Sequence, residues 1–192
     1  MKKLLITGFD PFNGGQVNPS WETAAALPDR VGEYELKKIQ LPVIYGEAAD
    51  LVLAEAKKWQ PDVILCLGLA GGRGNVTPER IGINLRSASI ADNAGNRYAD
   101  MPIDADGPAA YFSTLPVTAM AQAIRDADLP GAVSNTAGTY VCNDVLYTLL
   151  RHFDGTKTRI GFIHVPYLPG QGEPNMSLDD MVQALIAAIS AI

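Results

Sequence analysis

The sequence predicts an α/β fold: a three-layer α/β/α sandwich around a mostly parallel, twisted central sheet. Three observations carry this expectation. Short apolar runs alternate with longer segments of helical periodicity along the whole chain. The apolar runs are continuous rather than alternating, as in strands covered on both faces. Loops rich in Gly, Pro and Asn follow several of these runs, and in such sheets sites gather in the crevice outside the strand C-termini.

Each element has its own signal. Lys3–Phe9 is an apolar run stopped by Asp10-Pro11, hence a buried strand. Asn18-Pro19-Ser20-Trp21 carries helix-start chemistry and leads into Glu22–Leu27. Glu35–Leu41 alternates as a second strand. Tyr45–Trp59 is rich in Ala, Leu and Glu and reads as a helix ended by Pro61. Asp62–Leu69 is a third, buried strand that runs into the glycine loop Ala70–Asn75. Arg80–Ala88 alternates, and residues 91–110 form a long polar loop of the kind that serves as a lid, binding loop or interface. Pro116–Ala127 is a helix, Ala132–Asn135 a short strand, and Val141–Phe153 a helix with Val145, Leu146, Leu149, Leu150 and Phe153 on one side. Arg159–Val165 is a strand and Leu178–Ile192 a closing helix. No repeat, low-complexity tract or linker divides the chain, so residues 1–192 are expected to form one domain.

Composition bounds the function. A formal charge of −6, without a Lys/Arg cluster, argues against nucleic acid as a partner. Two cysteines in 192 residues make no disulfide scaffold and fit a reducing compartment. Met1-Lys2-Lys3-Leu4-Leu5-Ile6 opens like a signal peptide, but the apolar run ends too soon, at Asp10. No stretch suits a bilayer, so no membrane role and a cytoplasmic location are expected. Two separated histidines and two separated cysteines give no metal-ligand cluster. The spacing of Ala70–Gly74 is not that of a phosphate or dinucleotide loop.

Cys142 is the richest chemical signal. It follows the turn Thr136–Tyr140 and falls in the first turn of a helix, where free N–H groups and the dipole favour a thiolate nucleophile. Those N–H groups, with help from Ala70–Gly74, could also hold an oxyanion. Its spacing from Leu146, Leu149 and Phe153 fits a packed small hydrophobe equally well. Cys66, inside a strand, belongs to the core. Of the two histidines, His152 lies at the far end of the Cys142 helix, out of reach. His164 ends a strand at the same sheet edge as the thiol and is the candidate base. Glu79 is the candidate orienter of that base. A period of two places it with Ile81, Ile83 and Leu85, so the carboxylate needs a partner. That partner is either an imidazole or an arginine such as Arg73 or Arg80. Phe9 and Phe12 could clamp a flat ligand or simply plug the sheet end.

Several motifs together resemble one family, the pyroglutamyl peptidase I (pyrrolidone-carboxylate peptidase) family of C15 cysteine peptidases. They are Thr7–Phe12 with Asn18–Trp21, Gly68–Arg73 with Pro78-Glu79-Arg80, Asp92-Asn93, Ala137–Asn143 and His164–Tyr167, in order and nearly end to end. The resemblance implies an α/β/α sandwich that removes N-terminal 5-oxoproline from peptides. It implies a catalytic triad of Cys142, His164 and Glu79. It also implies substrate contacts at Phe9, Phe12, Asn18, Leu69, Tyr140 and Val141, no cofactor, and a homo-oligomer, commonly a tetramer. The chain departs from the family pattern at Ser89, where an Arg is common, at Leu69, where a Gln is common, and at Gly82, where an Ala is common. Arg86 or Arg73 could substitute for the missing guanidinium. Two other readings stand beside this one: a nucleoside-phosphorylase-like enzyme of related architecture, and a non-enzymatic redox or binding domain with a reactive Cys142.

Overall fold

The computed structural model describes residues 1–192. The central sheet has six strands, β1 (Lys2–Phe9), β2 (Arg30–Val31), β3 (Tyr34–Leu41), β4 (Val63–Leu69), β5 (Thr77–Pro78) and β8 (Arg159–Val165), in the order β2-β3-β1-β4-β8-β5. The four inner strands are parallel, and the two-residue strands at either edge run antiparallel. A separate antiparallel pair joins β6 (Ile81–Ile83) to β7 (Ala110–Phe112). The helices are α1 (Pro19–Ala26), α2 (Glu47–Trp59), α3 (Val117–Asp126), α4 (Val141–His152) and α5 (Leu178–Ser190).

Two cores explain the unbroken apolar strands. Leu4, Ile6, Val63, Leu65, Ile163 and Val165 pack with α1, α3 and α5 on one face. Leu5, Ile64, Cys66, Ile160 and Phe162 pack with α2 and α4 on the other. The sandwich is therefore three layers deep, and successive residues such as Leu4, Leu5 and Ile6 are all fully buried. No helix is long and apolar enough to cross a membrane.

Three expectations are corrected. Ala132–Asn135 is not a continuous strand: only isolated bridges form there, Val76 to the preceding Gly131 and Glu79 to Ser134. The alternation of Arg80–Ala88 yields only the three-residue β6. The period-two argument for Glu79 also fails as geometry, because the chain leaves the main sheet after Pro78 and enters the small sheet at Ile81, so Glu79 shares no strand with Ile81 and Ile83. Residues 91–110, expected as loop, end in β7 and are pinned along their length. Asn84 donates to the carbonyls of Asp104 and Gly107 and accepts from the N–H groups of Ile103 and Asp104.

The chain runs from β1 to β3 on one side and then to β4 on the other, so the loops after β1 and β4 diverge and leave a crevice at their C-terminal ends. Close packing closes its floor. A Cβ on Gly8 would lie 2.5 Å from Ser20 O and Trp21 Cα, which are backbone atoms of α1. Gly8→Ala is expected to lower stability by about 1–3 kcal/mol, the usual range for overpacking, read as a lower urea midpoint with an unchanged slope.

Candidate active site

His164 lies on β8 directly opposite Gly68 of β4. Its Nδ1 is 2.7 Å from Glu79 Oε1, and both side chains are buried. A carboxylate only accepts, so Nδ1 donates and Nε2 is left as the ring's acceptor. The same Oε1 accepts from Arg73 Nη1 at 2.7 Å. The imidazole and the arginine, alternatives in the sequence, therefore share one oxygen. Arg80, the other arginine considered, bonds Asn135 instead.

Cys142 enters from the opposite side. No side chain caps the N-terminus of α4, which leaves its first N–H groups facing the crevice. The sulfur rests on Gly68: a Cβ there would sit 2.9 Å from Sγ and 2.8 Å from the Phe162 ring. A side chain at this position would displace the thiol, and a glycine inside a strand is the sequence signal for such close approach. The thiol is thus seated above the cross-strand neighbour of His164. His152 is exposed at the far end of α4, and Cys66 is sealed in the core.

The surroundings do not favour the standing thiolate that the helix N-terminus suggested. Burial pushes the Cys142 thiol up to about 12, and the negative charge of Glu79 adds to this; its own backbone N–H and Arg73 pull the other way without prevailing.

Beside it lies a narrow cleft of roughly 240 Å³, counting its mouth, walled by Phe9, Phe12, Asn18, Val43, Leu69, Tyr140, Val141 and Cys142. All six expected contact residues meet here, with Val43 as an addition that its sequence did not advertise. Phe12 and Tyr140 approach at 6.2 Å between rings, and Tyr140 meets Tyr45 edge-on at 5.5 Å. Asn18 is less free than expected. Its Oδ1 caps α1 by accepting from Ser20 N and Ser20 Oγ, and its Nδ2 donates to Asp10 O.

The arginines considered as stand-ins are both engaged. Arg86 binds Asp144 at 2.6 Å and lies over the rings of Tyr45 and Tyr98, while Asp144 also accepts from Gly46 N. Arg73 is held by Glu79, and Ser89 is exposed. The glycine loop is likewise partly committed, with Ala70 N donating to Val165 O and Arg73 N to Ala70 O. The free N–H groups nearest the sulfur are those at the start of α4.

The sequence model of the pyroglutamyl peptidase family matches residues 2–192. The chain belongs to that family. Relatives named pyrrolidone-carboxylate peptidase include one from Levilactobacillus brevis, 49% identical over 99% of this chain and 97% of its own length. Another, from Staphylococcus saprophyticus, is 45% identical over 99% of this chain and 92% of its own. The crystal structure of pyroglutamyl peptidase I from Bacillus amyloliquefaciens superposes with a TM-score of 0.94 at 42% identity, covering 100% of this chain and 97% of that one. Pyrrolidone carboxyl peptidase from Thermococcus litoralis gives a TM-score of 0.94 at 36% identity, covering 100% and 93%.

One further residue of this family member organises the cleft wall. Asp92 is buried, and burial alone would raise its carboxyl. Bonds from Asn96 Nδ2 and from the N–H groups of Tyr45, Asn96 and Ala94 outweigh that and hold it below the usual carboxylate range. Asp92→Ala is expected to cost about 1–3 kcal/mol at neutral pH. A carboxyl lowered on folding stabilises above its unfolded value and loses this as pH falls through its folded value. The gap between variant and parent in thermal unfolding should therefore close only in acid. Gly68→Ala is expected to displace the sulfur, measured as slower alkylation of Cys142 by iodoacetamide.

Proposed function

We propose that this chain removes an N-terminal pyroglutamyl residue from peptides by covalent catalysis, with Cys142 as nucleophile, His164 as base and Glu79 as its orienter. The observation that carries the reading is the buried bond between Nδ1 of His164 and Glu79, which leaves Nε2 as acceptor on the strand position opposite Gly68, where the thiol rests.

The thiol proton passes to His164 Nε2 as the sulfur adds to the carbonyl that follows the lactam ring. The N–H groups at the start of α4 hold the oxyanion. The imidazolium then protonates the departing amine, the C–N bond breaks, and a thioester remains. Water, deprotonated by His164, attacks the thioester; the C–S bond breaks, pyroglutamate leaves, and the imidazolium returns its proton to the sulfur. In this reading His164 acts as the general base that takes the thiol proton in the first step.

The cleft supports the substrate class. Its walls are aromatic and aliphatic with a single amide, Asn18, which suits a small, flat, neutral ring. No Asp, Glu, Lys or Arg lines it, so a free ammonium terminus would be buried without a partner there. A blocked, neutral terminus suffers no such penalty. The same absence of cations weighs against a phosphate in this cleft. With Asn18 engaged in capping, the ring's polar edge falls to backbone groups and the remaining Nδ2 hydrogen. The whole chain 1–192 serves as one peptidase unit. A reducing compartment such as the cytoplasm keeps Cys142 a thiol, and the family likeness favours a homo-oligomer.

The test is release of a chromogenic amine from its pyroglutamyl amide. Release is expected from the parent, abolished by iodoacetamide and by Cys142→Ala with an unchanged circular dichroism spectrum. Full turnover by Cys142→Ala would end the proposal. Glu79→Gln is expected to lower kcat on the order of tenfold or more with KM little changed.

A further inference from the structure

Arg73 is the one Arg or Lys bonded to Glu79, and its reach extends well beyond that bond. Nη1 also lies 3.1 Å from Thr77 Oγ1 and 3.2 Å from Ser134 Oγ, and Nη2 donates to Thr136 O at 3.0 Å. Thr136 begins the turn that delivers Cys142 to the head of α4, and its Oγ1 accepts from Gly138 N within that turn. One guanidinium thus bonds both the residue that orients the base and the segment that carries the nucleophile.

We propose that Arg73 is a positioning residue of the site, fixing Glu79 on His164 and tying the Cys142 turn to that pair. This rests on the peptidase reading of the triad. Glu79 presents the argument for it. The residue is fully buried, Oε1 receives both Arg73 and His164, and Oε2 is buried with no partner. A buried carboxylate that is half satisfied holds its charge and its rotamer only through the groups on its bonded oxygen. Arg73 supplies the permanent charge. Without it, the carboxylate is free to turn away, and the imidazole loses the acceptor that sets its tautomer. The guanidinium suits the task because its nitrogens point in two directions at once, to the carboxylate and to the Thr136 carbonyl. A lysine could serve one of them. The Arg73 side chain keeps 32% of its surface exposed, so its removal opens the site to water at one edge without emptying the core.

The experiment compares the parent with Arg73→Ala and Arg73→Lys on the pyroglutamyl amide, with and without millimolar guanidinium. It also measures the alkylation rate of Cys142 by iodoacetamide in each protein. Arg73→Ala is expected to lower kcat about 10–100-fold, the size of effect seen when an outer partner that orients an imidazole is removed, with KM within about threefold of the parent. Lysine or added guanidinium should recover part of the loss, and alkylation should slow in Arg73→Ala. A merely structural residue would not give this split or this recovery. A kcat within about twofold of the parent in Arg73→Ala overturns the proposal, as does a loss that neither lysine nor guanidinium recovers. If Arg73→Ala fails to fold, Arg73→Lys decides: a reduced kcat at unchanged KM supports the role, and parental kcat removes it. If the parent itself releases no amine, the peptidase reading fails on its own, and an alkylation rate unaltered in Arg73→Ala would separately dismiss Arg73.

Discussion

The site depends on how closely α4 can approach the sheet. β4 and β8 pair in parallel with Gly68 opposite His164, and the absence of a side chain at Gly68 lets the first turn of α4 come down until its sulfur touches the strand. Everything chemical follows from that contact. It sets a thiol over the neighbour of an imidazole, brings the uncapped start of α4 to the same space, and leaves Cys142 half-buried. Desolvation is the largest influence on the thiol and opposes the charge that the helix terminus favours. The Glu79 carboxylate, which bonds His164 Nδ1, also opposes charge on the sulfur.

The large elements were legible in the sequence because their physics is local. β1, β4 and β8 are continuous apolar runs, and the helices carry a stripe of Leu, Val and Ala at helical spacing. The short strands were not legible. β2 and β5 have two residues each, too few to show a period, and exist only because a neighbour offers a free edge. Ala132–Asn135 has strand-like composition, yet it meets the β5 segment only at isolated bridges. Long-range pairing decided all three cases, and no window of sequence contains it.

The site was readable in part for the same reason. His164 and Cys142 declare themselves by type and by position at element ends. Glu79 was reached through a strand continuity that does not exist, and its true surroundings come from three segments meeting at one oxygen. Imidazole and arginine looked like competitors because a pattern cannot represent a shared acceptor. Asn18 showed the converse: a polar residue at the cleft whose amide mostly serves the helix it begins. Asp92 belongs to a family motif and Arg86 stood out as a spare guanidinium, but their bonds to Tyr45 N and to Asp144, behind the tyrosine that meets Tyr140, have no signature in the sequence.

The position of β8 in the sheet has a consequence for the making of the protein. It is an interior strand, wedged between β4 and β5, yet it is nearly the last element of the chain. During synthesis Cys142 emerges from the ribosome before His164 does. A nascent polypeptide that already carries residue 142 lacks the strand that sets residue 164 opposite Gly68. The meeting of the two residues must therefore wait until the later segment is threaded between its neighbours.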